Sequence, residues 1–164
     1  MRKWFRRIFW TVLVFLVVAQ FIPVPRTNPS VDASKTLTAT TPVPPEVASI
    51  IERSCQDCHS NLTRWPWYSH VAPISWGVWN DVKGARNHMN FSEWGTLSDR
   101  RKDTRLGDIV DQVTSGEMPD SKYLWIHRDA KLTAQDKKTL IDWAEATRKN
   151  SGYKKEPAAA TPTH

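Results

Sequence analysis

Apolar residues recur at helical spacing in several stretches of the chain, and no stretch sustains the period-two alternation of a half-buried strand. Residues 1–7 are short and positive. From Ile8 to Ile22 the chain is apolar apart from Thr11 and Gln20, which predicts a helix approaching bilayer-spanning length. Residues 23–43 are rich in Pro, Thr, Ser and Ala without periodicity. They predict an extended linker that holds the following domain off a membrane surface. Pro44-Pro45-Glu46 opens a helix with Val47, Ile50 and Ile51 on one face, proline suiting the first turn and Glu46 the positive helix end.

Residues 60–74 are turn-rich and aromatic, and Pro66 and Pro73 exclude a continuous helix there. Ser75–Asn90 predicts a second domain helix with Trp76, Trp79 and Val82 on one side. Asn90-Phe91-Ser92-Glu93-Trp94 reads as a break followed by a helical turn with Ser92 as N-cap. Ser98–Ser115 predicts a third helix, with Leu106, Ile109, Val110 and Val113 as its inner stripe and Gly116 as its stop. After a short irregular piece at Tyr123–Arg128, Thr133-Ala134-Gln135-Asp136 reads as a capping-box start to a last helix. That helix runs through about Arg148. Leu132, Leu140, Ile141 and Ala144 form its inner stripe, Trp143 lies at its edge and Gly152 ends it. The predicted organisation is a signal or transmembrane helix at 1–22, a linker at 23–43, one mainly α domain at 44–152 and a low-complexity, disordered tail at 153–164.

Charge and composition sharpen this picture in two places. The net charge is +6, much of it in Arg2, Lys3, Arg6 and Arg7 ahead of the apolar run. That arrangement keeps the N-terminal end cytoplasmic and delivers the rest to the other side. Val17-Val18-Ala19 offers a cleavage site, so a cleaved signal peptide stands beside an uncleaved single-pass anchor. The later lysines and arginines read as a solvated helix face and tail, and no basic-and-aromatic nucleic-acid motif is present. There are nine tryptophans, seven of them after residue 44, an aromatic load suited to walling off a large flat ligand as well as to filling a core.

The chemistry concentrates at Cys55-Gln56-Asp57-Cys58-His59, which holds the only two cysteines in the chain. C-x-x-C-H is the attachment signature of c-type haem. Two thiols three positions apart reach the two vinyl groups on one porphyrin edge, and the next imidazole falls under the iron as proximal ligand. Three other uses of the pair are a thioredoxin-like redox disulfide, half of a zinc site and a structural disulfide. The first lacks a surrounding strand–helix alternation, and the second lacks a further pair of ligands. For the second axial position the candidates are Met118, His127, His70, His88 and Met89, or an open site. Met118 leads, because it sits on a Gly-led loop that Pro119 stiffens. The loop carrying Arg64 and Trp67 is expected to pack over one haem face and edge, with Arg64 placed to fork onto a propionate.

Cys55-Gln56-Asp57-Cys58-His59-Ser60-Asn61, Trp65-Pro66-Trp67-Tyr68, Pro73, Asn90-Phe91-Ser92-Glu93-Trp94, Gly116-Glu117-Met118-Pro119 with Tyr123 and His127, and Leu140-Ile141-Asp142-Trp143 together resemble a family. It is the small haem-binding domain family of bacterial membrane-anchored or periplasmic proteins, distant relatives of cytochromes c. The resemblance spans about Pro44 to Trp143. It implies a small helical domain wrapped around one covalent haem c, with His59 as proximal ligand. The expected role is a membrane-tethered periplasmic electron carrier, rather than an enzyme, that meets a redox partner protein. A haem-based gas sensor and a peroxidase-type enzyme are the alternatives.

Overall fold

The computed structural model describes residues 2–151. Eight α-helices, interspersed with four short 3-10 turns, follow one another among the described residues, with no strand there, as the missing period-two pattern predicts. They are α1 (Arg2–Ala19), α2 (Leu37–Thr40), α3 (Pro45–Ser54), α4 (Gln56–His59), α5 (Ile74–His88), α6 (Asp99–Ser115), α7 (Ser121–Ile126) and α8 (Ala134–Asn150). The expected stop at Gly152 and the disordered tail lie outside the described residues.

The terminal signals of the long helices act as their sequences imply. Ser98 Oγ accepts from Arg101 N at the start of α6, and Gly116 closes it with φ 78°, a left-handed conformation that glycine adopts without Cβ strain. Thr133 and Asp136 form a reciprocal capping box on α8. Leu106, Ile109 and Val113 of α6 meet Leu140, Trp143 and Ala144 of α8, and Val47, Ile50 and Ile51 of α3 complete this core with Phe91 and the fully buried Trp94. Trp143 is buried rather than at an edge, because its Nε1 donates to Pro42 O at 3.0 Å.

Two expectations change at the N-terminal end. The helix predicted within 1–22 is present as α1, but 18 residues at 1.5 Å each give about 27 Å against a hydrocarbon core of about 30 Å. Four of its first six residues are cations. No helix among the described residues is long and apolar enough to cross a membrane, so the transmembrane span is not carried by the fold.

The predicted linker at 23–43 is instead a strap laid along the domain. Asn28 Nδ2 donates to Thr63 O (2.9 Å), and Asn28 Oδ1 accepts from Arg86 Nη2 (2.8 Å) and Trp65 Nε1 (3.1 Å). Leu37 is 3% exposed, and its N–H donates to Phe91 O at 2.8 Å. Trp94 Nε1 reaches Thr41 Oγ1 at 3.1 Å. The strap lacks apolar periodicity because polar side-chain ties and one buried leucine hold it down. Leu37→Ala should therefore lower unfolding free energy by roughly 2–5 kcal/mol. Chemical denaturation followed by circular dichroism checks this, and an unchanged midpoint would mean that the strap is loose.

Candidate functional site

Helix α3 breaks at Cys55 (φ −130°, ψ −34°), and a single new turn, α4, carries the rest of the motif. Cys58 N and His59 N both donate to Cys55 O, at 3.3 and 3.0 Å. The two thiols and the imidazole thus lie on one turn, at spacings of three and four that share a face. Both thiols are free. Burial pushes the Cys55 thiol up to about 12 and the Cys58 thiol up to about 11, so both stay protonated at neutral pH.

His59 is held from two sides. Its Nδ1 lies 3.1 Å from Met89 O, and its own carbonyl accepts from Phe91 N at 2.7 Å. A carbonyl only accepts, so Nδ1 carries the proton and Nε2 keeps its lone pair. Burial holds the imidazole below its ordinary pKa, in the neutral state that ligates iron. A carbonyl behind a histidine that fixes its tautomer is what metal-binding imidazoles need.

The same two segments are zipped further along. Asn61 N donates to Ser92 Oγ (3.0 Å), Asn90 Nδ2 to Asn61 Oδ1 (2.8 Å) and Asn61 Nδ2 to Glu93 Oε1 (3.2 Å). Ser92 therefore does not cap the turn at Trp94–Thr96 as expected; Glu93 precedes that turn, and the Ser92 hydroxyl faces Asn61.

The motif faces a cavity of two lobes, about 660 and 330 Å³. Ser54, Cys55, His59, His88, Met118 and Pro119 line both. Volumes of this order hold drug-sized ligands and cofactors. Ser54 Oγ is one of two buried side-chain polar atoms without a hydrogen-bond partner among the described residues. A buried orphan hydroxyl on a cavity wall fits a site shaped for an occupant. Two free thiols, a neutral imidazole with an available nitrogen and an apolar chamber suit haem. Among the described residues no group of three or more His, Cys, Asp or Glu could hold a metal ion alone, so the zinc alternative finds no ligand set.

The other sequence candidates divide. Met118 lines both lobes with His59 and is 39% exposed; its N–H donates to Gln112 O at 3.2 Å, which seats the loop after Gly116. Met89 is buried on the smaller lobe, and its carbonyl serves His59. His88 lines both lobes but is exposed, its Nε2 3.0 Å from Asp108 Oδ2. His70 is exposed and lines neither lobe. Trp67, expected against the cofactor, is 77% exposed and also lines neither lobe. Arg64 lines the larger lobe, but its guanidinium is forked onto Asp57, with Nε–Oδ1 3.0 Å and Nη2–Oδ2 3.1 Å. The expected propionate partner is thus engaged by the motif's own carboxylate.

That carboxylate anchors a network with no local sequence signal. Tyr123 Oη donates to Asp57 Oδ2 at 3.0 Å across 66 residues. The Tyr123 ring stacks on His127 at 4.1 Å, and His127 Nε2 lies 2.6 Å from Tyr68 Oη. His127 thus lines the larger lobe with Nε2 already engaged. Burial and then the Asp57 charge push the Tyr123 hydroxyl upward. Burial acts against ionised Asp57, but the Arg64 and Tyr123 hydrogen bonds outweigh it and hold the carboxyl below its ordinary range. A depressed folded pKa contributes stability above the unfolded value and loses it as pH falls through the folded one. Asp57→Asn should therefore be less stable than the parent above about pH 4, with the gap closing below it. Denaturant midpoints between pH 3 and 7 check this, and a constant gap would exclude the linkage.

Comparison with curated proteins and comparison with solved structures each return no match. A family model described as a haem-binding domain matches residues 14–146, which takes in the end of α1, the strap and the whole cavity wall. The match therefore begins well before the expected domain start at residue 44, in keeping with a strap that is part of the fold. With a cavity formed around Cys55, Cys58 and His59 and most of the chain within the match, this protein belongs to the haem-binding domain family.

Proposed function

We propose that the chain is a mono-haem c-type electron carrier on the periplasmic side of a bacterial inner membrane. The observation that supports this best is the His59 geometry: Nδ1 committed to the Met89 carbonyl, Nε2 available, and two free thiols on the same turn. Cys55 and Cys58 would hold haem c through thioether bonds, and His59 would ligate its iron. Met118 would supply the second axial ligand from the loop that Gly116 and the Gln112 carbonyl set. Haem, when bound, supplies one-electron chemistry, with a potential that axial ligands and burial tune. The chain's part is to fix His59, keep water out with the apolar walls and leave an edge open to a redox partner in a small, weak interface.

The Tyr68–His127 pair on the wall of the larger lobe gives a second reading some support. A phenol and an imidazole 2.6 Å apart orient and polarise one shared proton, an arrangement that suits the acid–base chemistry of a peroxidase or the polar wall of a gas sensor.

Protein produced in a haem-attaching host should stain for haem after denaturation, and Cys55→Ala/Cys58→Ala should abolish the stain. The parent's ferric spectrum should carry the weak long-wavelength band of methionine-ligated haem. Met118→Ala should lose that band and lower the reduction potential. An absent band, with ready carbon monoxide binding by the unaltered ferrous protein, would favour the sensor. Peroxide turnover that survives Met118→Ala and is lost in His127→Ala would favour the enzyme.

A further inference from the structure

From Ile8 to Val18 helix α1 is apolar on every side apart from Thr11, and no side chain of this stretch is buried against the domain. Its large side chains are all exposed, from Trp4 (64%) and Phe9 (62%) to Phe15 (54%) and Val18 (56%), and only Ala19 is buried. A helix of this kind belongs in an apolar environment.

Its C-terminal end is clamped to the domain. Gln20 Nε2 donates to Ala72 O (2.9 Å), and Gln20 Oε1 accepts from Ala72 N (3.1 Å). Trp76 Nε1 donates to Ile22 O at 3.0 Å. Ile74 lies two residues beyond Ala72, within about 8 Å by chain geometry. It is 53% exposed and lines the larger cavity lobe. Ile126, 61% exposed, lines the same lobe, and Trp125 and Val71 beside them are 78% and 41% exposed. Exposed apolar residues thus stand both at the clamp that ends α1 and on the wall of the larger lobe.

We propose that this surface docks on a lipid bilayer: α1 lies along the interface of one leaflet without crossing it, and Val71, Ile74, Trp125 and Ile126 rest on the same interface, so the cavity opens at the membrane. Charge selects lipid over a second copy of the chain. No acidic residue precedes Asp32, whereas Arg2, Lys3, Arg6, Arg7 and Arg26 do. A second copy would bring like charges together. Anionic headgroups attract such cations at about 1 kcal/mol each near the surface. Trp4 and Phe5 between the cations, and Trp10 soon after them, suit the headgroup boundary. Docking rests on the membrane-side location proposed above, but it needs no occupied cavity.

Amide hydrogen exchange of the full chain separates the outcomes, read by mass spectrometry with and without phosphatidylethanolamine–phosphatidylglycerol vesicles. Exchange should slow several-fold in residues 2–19, 71–76 and 121–127, with residues 134–150 unchanged. Slowing in 2–19 alone would overturn the docking while leaving a membrane location standing. No slowing in any of the three would overturn both. Slowing in all three on raising protein concentration without vesicles would replace lipid by a second copy. Haem staining of the same sample reports separately on the electron-carrier assignment.

Discussion

The structure depends on how one imidazole is pinned. His59 sits on a four-residue helix, which has no stability of its own. It stays in place because residues 89–91 grip it through ring and backbone at once. The grip passes the rigidity of α5 and of the Phe91–Trp94 core into the motif. It also decides the tautomer, because a neutral ring that donates from Nδ1 to a carbonyl keeps its lone pair on Nε2.

The buried polar residues around the motif follow from this. Asn61 and Ser92 are buried and would be costly in an apolar interior unless satisfied; each finds a partner in the other segment, and half-buried Asn90 adds a third tie to Asn61. They convert two irregular stretches into one cross-linked wall without a strand. On the opposite wall Asp57, the third residue of the motif, collects Arg64 and Tyr123, and through Tyr123 the His127–Tyr68 pair. The spacer residue is therefore structural: it ties the turn bearing the thiols to α7.

Much of this was legible beforehand because its causes are local. The capping box at Thr133 and Asp136, the stop at Gly116, the stripe of Leu106, Ile109 and Val113, and the C-x-x-C-H spacing all act within a few residues of themselves. What escaped was long-range and polar. Arg64 looked like a free guanidinium because nothing in its neighbourhood announces that Asp57 turns back to meet it. Trp67 looked like a cofactor wall because aromaticity was visible and direction was not. The strap at 23–43 looked like a spacer because its contacts are asparagine amides, backbone carbonyls and tryptophan N–H groups rather than a hydrophobic period.

The strap matters because the domain is built around a cavity. A small domain has little apolar surface to spare, and here a large share of it faces a chamber instead of other side chains. The chain wound around the outside adds stability, its Leu37, Thr41 and Pro42 engaging Phe91, Trp94 and Trp143. A ligand that binds only the folded state stabilises it by mass action, and a covalent one cannot dissociate. Burial keeps both thiols protonated once the walls have closed, and a thiolate is the reactive form.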